Sequence, residues 1–196
     1  MKKLLCVFMV IVLTGCQSSQ TKEKEVIPMY INTDKNNILE IVEKDYENIE
    51  PKDLLKEVDY CFIGSLKKIY KSEVYENGQL KTPMDVTVKE VIKGNPSKEM
   101  KIYRDGGSQL LSDYIKLEKT YIDKSQLELI PDTVRNNYSI EIVPTAYFQA
   151  KLNQTYVFYV KDNMINKDAY GMLEVMSEDL IKNQFTKQEY SIQDIK

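Results

Sequence analysis

Cysteine is the first candidate for covalent chemistry in this chain of 196 residues. The chain has three cysteines and no histidine. The lack of histidine excludes a Ser-His-Asp or Cys-His catalytic pair, a His-ligated zinc and a histidine pH switch. Three cysteines are too few for a four-cysteine zinc site, and seven glycines are too few for a glycine-rich phosphate-binding architecture. The sequence therefore predicts no metal and no cofactor.

Carboxylates are the other candidate chemical groups. Glu76, Asp85, Glu90 and Glu99 could pair for hydrolysis or for calcium binding. They lie in predicted turns or alternate with apolar residues, a pattern typical of a solvated face, and no calcium-loop spacing is present. The segment 105–108 (DGGS) could form a backbone nest for an ion, but glycines after an apolar run favour a turn that ends a strand. We therefore predict no catalytic residue and no enzyme.

The amino terminus has the three parts of a secretory signal. Lys2 and Lys3 form a basic start, residues 4–13 are all apolar, and residues 14–16 provide a small-residue cleavage site. Ten apolar residues are too few for a membrane-spanning helix, which needs about 20. Residues 1–15 are therefore predicted to be a signal peptide that is removed on export.

The cleavage site itself indicates a specific covalent modification. Leu13-Thr14-Gly15-Cys16 resembles the lipobox of bacterial lipoproteins. The resemblance implies that a signal peptidase recognises Leu13, Thr14 and Gly15, and that Cys16 is lipidated with a diacylglyceryl group and becomes the mature amino terminus. The alternative is an ordinary secretory signal with an accidental cysteine. Lipidation would hold the chain on the cell membrane, facing outside the cytoplasm, because stable anchoring takes two acyl chains.

The mature chain begins with a tether and is acidic. Residues 16–25 form the lipidated tether, which has no apolar side chain after Cys16. Removal of residues 1–15 removes two lysines and no acids, so the charge becomes 25 − 30 = −5. An acidic domain is repelled by nucleic acid, so no nucleic-acid partner is expected. Cys61 is then left without a cysteine partner and is predicted to be a buried small hydrophobe.

The hydrophobic pattern divides the remaining chain into segments. Residues 26–51 are an N-terminal extension that is partly helical, with a helix predicted over 36–46, and a second helix is predicted from 51 to about 58. A bent strand follows over 59–75, with a bulge near Lys67-Lys68. Asn77-Gly78 predicts a hairpin turn.

The strand rhythm continues and is then interrupted. A strand beginning at residue 84 loses its alternation at 91–92, a turn follows at 93–96, and a third strand covers 100–104. A helical insertion is expected around 108–137, followed by a short strand over 138–143. The run 156–160 (YVFYV) is apolar on both sides and predicts an interior strand, with 169–176 as its hairpin partner. Residues 177–196 are predicted to be a polar C-terminal tail.

Three of these segments resemble one family. Residues 54–66 (LLKEVDYCFIGSL), 86–94 (VTVKEVIKG) and 152–160 (LNQTYVFYV) are similar to strands of netrin-like OB-fold domains. That group includes the tissue inhibitors of metalloproteinases and similar bacterial lipoproteins. The resemblance covers about residues 52–176. It implies a mainly β fold, an OB-fold-like Greek-key barrel with peripheral helices, namely an N-terminal helix and the insertion around 108–137.

The inhibitory activity of that family does not carry over. Tissue inhibitors chelate a protease zinc through the free amine and carbonyl of an amino-terminal cysteine. Here Cys16 is expected to be acylated and held at a membrane, and the family's disulfides are absent. The resemblance therefore implies a scaffold, and a scaffold alone does not fix a function.

Tyrosine provides the candidate binding face, since the chain has 14 tyrosines and this amphipathic side chain is common at binding surfaces. OB barrels bind ligands on one face. Tyr70, Tyr75, Tyr103 and Tyr114 are the predicted members of such a face. The alternative is that they pack the outer layers of the barrel.

The leading hypothesis is a membrane-anchored extracytoplasmic lipoprotein that acts as a non-enzymatic binding module for a protein or peptide partner. The alternative is a cell-wall or oligosaccharide binder that uses the tyrosine-rich face. A bacteriocin-immunity lipoprotein and a hydrolase that uses carboxylates are the remaining hypotheses.

The lipid anchor is testable by one substitution. Cys16→Ala removes the thiol that would accept the diacylglyceryl group, so we expect no incorporation of labelled palmitate and a chain that stays unprocessed or is shed. Cys61→Ala is the matched control, because it removes another cysteine and should leave labelling unchanged. Normal acyl incorporation in the Cys16→Ala chain would contradict the lipoprotein interpretation.

Overall fold

The computed structural model describes residues 30–32, 38–42, 46–75, 78–120 and 122–196. The predicted signal peptide (1–15) and lipidated tether (16–25) lie outside the described residues, as does Asn77 of the predicted turn. Within the described part of the chain, no helix is long and apolar enough to cross a membrane.

The described residues are mainly β. The strands are β1 Tyr30–Asn32, β2 Ile38–Val42, β3 Tyr60–Ile69, β4 Glu73–Val74, β5 Leu80–Lys93, β6 Glu99–Asp105, β7 Gly107–Leu110, β8 Ser139–Val143, β9 Thr155–Lys161, β10 Met164–Ile165, β11 Met172–Val175, β12 Leu180–Lys182 and β13 Glu189–Ser191. The helices are α1 Pro51–Glu57, α2 Leu111–Ile115, α3 Lys124–Leu127 and α4 Asp132–Arg135, and short 3-10 turns cover Asp168–Tyr170 and Ile192–Ile195.

These strands form two sheets. The smaller sheet has the order β1-β2-β8-β7, and the larger has the order β10-β6-β5-β3-β9-β11-β12-β13, with β4 paired to β5. β10 pairs with both β6 and β9, so the pairings β6-β5-β3-β9-β10 run in a closed circuit. Part of the large sheet is therefore closed into a ring, and the predicted mainly β class is confirmed.

The ring encloses a hydrophobic cluster to which all five of its strands contribute. Its buried members are Phe62, Leu66, Met84, Val86, Ile102, Tyr156, Phe158, Val160, Ile165 and, from β11, Met172. Side chains alternate across a strand, so the opposite faces of β3 and β9 belong to a second cluster. There Cys61 and Tyr159 pack in the same buried cluster as Leu54 of α1. β3 and β9 are thus buried on both faces, as the apolar run at 156–160 predicts.

Both interruptions of the strand pattern predicted from the sequence are confirmed as irregularities of the β3–β5 ladder. The register shifts between Leu66 and Lys68, where β3 has one extra residue, and again where Cys61 and Phe62 pair with Lys93 and Val91. The turn after β5 requires a glycine: Gly94 has a φ of +80°, and a Cβ there would lie 2.4 Å from the carbonyl oxygen of Asp59.

The helix predicted over 36–46 is wrong. Ile38–Val42 forms β2, which pairs in parallel with β8 from Ile38↔Ser139 to Val42↔Val143. Three of the five residues of β2 are β-branched, which favours a strand, and the partner strand lies about a hundred residues further along the chain. The N-terminal extension therefore contributes strands to the small sheet, while the second predicted helix is confirmed as α1.

The insertion and the tail differ in part from the prediction. Helices α2, α3 and α4 are all within 108–137, but the preceding strand β7 pairs with β8 and continues the small sheet. The segment 169–176 contributes β11 to the predicted hairpin, after a 3-10 turn. The tail is less peripheral than expected: β12 and β13 extend the large sheet, and Ile181, Ile192 and Ile195 are buried.

An ion pair lies in the interior between β6 and the chain around residue 168. Arg104 is 3% exposed and Asp168 is fully buried, and Nε of Arg104 donates to Oδ1 of Asp168. Nη1 of Arg104 donates to the carbonyl oxygen of Phe148 at 2.5 Å, and the guanidinium carbon lies 4.2 Å from the centroid of the Tyr147 ring. Burial raises the pKa of Asp168 to about 6, and the Arg104 guanidinium limits that rise.

Arg104→Met should lower the free energy of unfolding by about 3–5 kcal/mol, because it leaves a buried carboxyl without its partner. A raised folded-state pKa favours the protonated carboxyl, so the associated stability is present at low pH and is lost as the pH rises. We therefore expect a larger loss at about pH 8 than at about pH 5, measured by urea unfolding. The double variant Arg104→Met/Asp168→Leu should recover much of it. An equal loss at both pH values would contradict this account.

Candidate functional site

Two rows of side chains cross three neighbouring strands on the outer face of the large sheet. In the first row, Lys68 of β3 and Lys101 of β6 lie on either side of Asp85 of β5. Met84 and Ile102 are their neighbours along the strands and point to the opposite side, into the core of the ring. The first row therefore faces outward.

The second row is aromatic. Pro83 of β5 lies opposite Tyr103 of β6, and its carbonyl oxygen accepts a hydrogen bond from the amide of Tyr70 at 2.9 Å. Tyr75, which directly follows β4, contacts Tyr103 edge to face at a centroid distance of 6.2 Å. Lys81 extends this arrangement along β5, with its Nζ 3.9 Å from the centroid of the Tyr75 ring.

We call this surface the tyrosine–lysine face. It comprises Lys68, Tyr70, Tyr75, Lys81, Pro83, Asp85, Lys101 and Tyr103. The face depends on the bulge in β3: the extra residue Lys67 moves Lys68 and Tyr70 to the outer side, whereas Leu66 points into the ring. Three of the four predicted tyrosines are thereby brought together.

The lysines of the face lie against aromatic rings. Nζ of Lys68 and Nζ of Lys101 lie 4.1 Å and 4.5 Å from the centroid of the Tyr70 ring. Such cation–π contacts contribute about 0.5–1 kcal/mol each at exposed sites. Among the described residues, no carboxylate lies within salt-bridge distance of Lys68, Lys81 or Lys101. Their positive charge is therefore not neutralised by a direct ion pair.

Carboxylates on and beside the face accept hydrogen bonds from hydroxyl groups instead. The Tyr70 hydroxyl donates to Asp85 at 2.5 Å, and the Tyr46 hydroxyl donates to Asp105 at 2.8 Å. The Thr87 hydroxyl lies 2.8 Å and 3.0 Å from the two carboxylate oxygens of Glu99. A neutral donor leaves the negative charge of the carboxylate in place.

The same contacts change the acidity of two tyrosines. The hydrogen bond to Asp85 raises the pKa of Tyr70, because the carboxylate stabilises the protonated phenol. Burial raises the pKa of Tyr75, and the nearby Tyr103 and Glu73 add to the rise. Both phenols are therefore neutral hydrogen-bonding groups at physiological pH.

Tyr114, the fourth predicted member of the binding face, does not belong to it. Its side chain is fully buried in the cluster between α2 and the small sheet, and its hydroxyl donates to the carbonyl oxygen of Gly78 at 2.8 Å. The helical spacing of residues 110–117 could not show which side of α2 faces the core. Tyr114 is therefore a packing residue, and it packs in the cluster of α2 and the small sheet.

The predicted acidic candidates do not converge. Glu76 lies outside the described residues, and Glu90 pairs with Lys196 at 2.6 Å, away from Asp85 and Glu99. Within the described ranges, no group of three metal-ligating side chains is close enough to hold an ion. The segment 105–108 joins two strands, since β6 ends at Asp105, β7 begins at Gly107, and the amide of Gly106 donates to the Leu80 carbonyl oxygen at 2.8 Å.

Cys61 occupies the position that its sequence context predicts. It is a free thiol, fully buried between β5 and β9, and burial raises its pKa to about 12. A thiol with so high a pKa is almost entirely protonated at neutral pH and is a poor nucleophile. Cys61 is therefore a packing residue.

The lysines of the face were not predicted, although the sequence contains a signal for them. The tripeptide Lys-Ile-Tyr occurs at 68–70 and again at 101–103, and the two copies flank residues 83–85 of β5. Period-two alternation places Lys and Tyr on one side of a strand and Ile on the other. The repeat thus predicts the composition of the face, but only the pairing of β3 and β6 with β5 brings the copies together.

Comparison with protein-family models, curated proteins and solved structures found no match to this chain. The resemblance to netrin-like domains stays a prediction that rests on the residues quoted above.

The hydrogen bond between Tyr70 and Asp85 can be tested by titration. Asp85→Asn removes the negative charge that stabilises the protonated phenol, so the pKa of Tyr70 should fall toward its ordinary value. Nuclear magnetic resonance of chains labelled with ¹³C at the tyrosine ζ carbon would follow each phenol. Tyr190, whose pKa is raised chiefly by burial, is the internal control and should not move. An unchanged pKa of Tyr70 would contradict the assigned contact.

Proposed function

We propose that this chain is a lipid-anchored, extracytoplasmic binding module without enzymatic activity, which holds a protein or peptide partner on its tyrosine–lysine face. The observation that carries the proposal is the alignment of Tyr70, Pro83 and Tyr103 across three strands, with lysines in the adjoining row. Tyrosine provides large contact area with few rotatable bonds, and lysine adds charge, a combination suited to binding.

We also propose that the ring is an OB-fold-like Greek-key barrel of the netrin type. This is supported by the order of its five strands, β3-β5-β6-β10-β9, in which the insertion with α2, α3 and α4 separates β6 from β9. Ligands of OB folds bind on the face of the second and third strands. Those strands here are β5 and β6, which carry Pro83 and Tyr103.

The anchor and the face are compatible in this proposal. Cys16 would hold the chain at the membrane, and the polar tether 17–25 would allow the domain to orient its binding face toward the surroundings. The net negative charge of the mature chain disfavours close contact with an anionic leaflet. The partner is therefore expected in the extracytoplasmic space.

Site-specific photocrosslinking tests this function. A benzoylphenylalanine at position 103 in the full chain should give protease-sensitive adducts in intact cells, because that ring lies within the face. The same probe at position 185, where Phe185 is an exposed aromatic outside the face, is the matched control. Tyr70→Ala should reduce the adducts from position 103 several-fold.

Two results would contradict the proposal. One is equal crosslinking from both positions, and the other is adducts that resist protease and contain carbohydrate. The second would favour the oligosaccharide-binding alternative, which a glycan array would then check with the same full chain.

A further inference from the structure

We propose that the tyrosine–lysine face binds a second copy of this chain, and that a two-fold axis running across the strands along the aromatic row relates the two copies. This inference rests on the binding function proposed above and names the partner. Tyr70, Pro83 and Tyr103 form the aromatic row, so each of them would face its own copy.

The charged side chains on one side of the aromatic row alternate in sign. Lys68 of β3 and Lys101 of β6 pair with Asp85 of β5 from opposite sides, and both lysines are exposed. The Tyr70 hydroxyl that donates to Asp85 is neutral, so it leaves the charge of the carboxylate in place. This first row therefore has the order positive, negative, positive.

The charged side chains on the other side of the aromatic row alternate in the reverse order. Lys81 of β5 pairs with Glu73 of β4 and with Asp105 of β6, and directly paired residues share one side of a sheet. Leu80 and Val74, the neighbours of Lys81 and Glu73 along their strands, pack in the cluster of α2 and the small sheet. Lys81 and Glu73 therefore point outward. This second row has the order negative, positive, negative.

The two rows together carry three lysines and three carboxylates, so their formal charges cancel. A partner of one sign would meet as many like charges as opposite charges and would gain little affinity from them. A partner that fits has to present both signs in a matching order and at the same spacing.

A second copy provides that order after a half-turn about the aromatic row. Asp85 and Lys81 each lie two residues from Pro83, about 7 Å along the strand, so the half-turn lays each row over the other row of the second copy. Since β6 occupies one edge of β5, β3 and β4 share the other edge, and residues of these two strands also come to lie over each other. The opposed pairs all have opposite charges: Lys68 with Glu73, Asp85 with Lys81, and Lys101 with Asp105. A two-fold interface forms each of these contacts twice.

The charges also select this orientation over the other two-fold arrangement that keeps the strands aligned. With the axis along β5, Lys68 would lie over Lys101 of the second copy, and Glu73 would lie over Asp105. Asp85 would lie over its own copy. These like-charge contacts disfavour that arrangement, so the order of the charges fixes how the two copies are turned.

The aromatic row would provide the centre of the interface. Sheets that pack face to face lie about 10 Å apart with their strands nearly aligned, a distance that opposing tyrosine side chains fill. Tyr70 and Tyr103 are half-buried in the single chain, so they have surface left to bury against the second copy. An aromatic centre with polar groups at its edges is typical of protein interfaces.

Photocrosslinking with two tags tests the inference in intact cells. One full chain carries benzoylphenylalanine at position 103 and an epitope tag at its carboxyl end, and a co-expressed full chain carries a different tag. We expect an adduct of twice the chain mass that contains both tags, with the crosslink on the aromatic row of the second copy. The same probe at position 185, outside the face, should give several-fold less of this adduct.

Charge reversal tests the predicted pairing of Lys68 with Glu73. Lys68→Glu in both copies, or Glu73→Lys in both copies, places like charges together twice, so the adduct with both tags should fall at least roughly fivefold. When one copy carries Lys68→Glu and the other carries Glu73→Lys, both contacts regain opposite charges. The adduct should then return to within about twofold of that from unchanged chains. Recovery in the mixed pair also shows that both variants fold.

The matched controls are Lys52→Glu and Glu178→Lys, because both residues are exposed and lie outside the face. Each should leave the adduct unchanged. If a single variant at position 68 or 73 is degraded, the exchanged chain Lys68→Glu/Glu73→Lys is the second test. It should form the adduct with itself, where opposite charges meet, and form several-fold less with the unchanged chain, where like charges meet.

Three results would overturn the inference. These are no adduct with both tags from unchanged chains, equal adduct from every combination of variants, and no recovery in either the mixed pair or the exchanged chain. Adducts from position 103 that contain a different protein and never both tags would reject the second copy as the partner and retain the binding function. The lack of any adduct from position 103 would reject both proposals.

Discussion

β3 has to form hydrogen bonds along both of its edges and to pack side chains on both of its faces, and the large sheet depends on its doing so. It pairs with β5 on one side and with β9 on the other. If β3 were apolar along its whole length, it could be paired and buried throughout, but it would present no polar side chains to solvent. The extra residue at Lys67 ends the doubly buried part, so that one continuous strand supports the core with Phe62 and the outer face with Lys68.

Charge is handled in opposite ways inside and outside the ring. Inside, Arg104 has both a carboxylate and a backbone carbonyl as acceptors, because an unpaired buried charge would cost several kcal/mol. Outside, Lys68 and Lys101 are exposed to solvent on either side of Asp85, so they need no ion pair at salt-bridge distance. β6 contains one residue of each kind: Lys101 is exposed to solvent, and Arg104 is buried and paired with Asp168.

Features set by neighbouring residues were predictable, and features set by distant pairing were not. The doubly apolar run at 156–160 and the loss of alternation near Lys67 are visible in the sequence because they reflect local side-chain pattern. β2 was mistaken for a helix because its five residues fit either period, and its parallel partner β8 decides the outcome. Tyr114 shows the same limit, since its burial depends on the small sheet that packs against α2. The composition of the face was readable as a repeated tripeptide, but its assembly required the register of three strands.

The closed circuit also determines when the chain can fold. Cys61 of β3 pairs with Lys93 of β5, some thirty residues later in the chain. On the other edge of β3 it pairs with Tyr159 of β9, nearly a hundred residues later. Synthesis proceeds from the amino end, so a growing chain exposes one edge of an apolar strand until β9 has been made. Topologies dominated by such distant contacts fold slowly, and an open apolar edge is a template for aggregation. Until then one edge of β3 stays unpaired, and the ring can close only when β9 and β10 have been made.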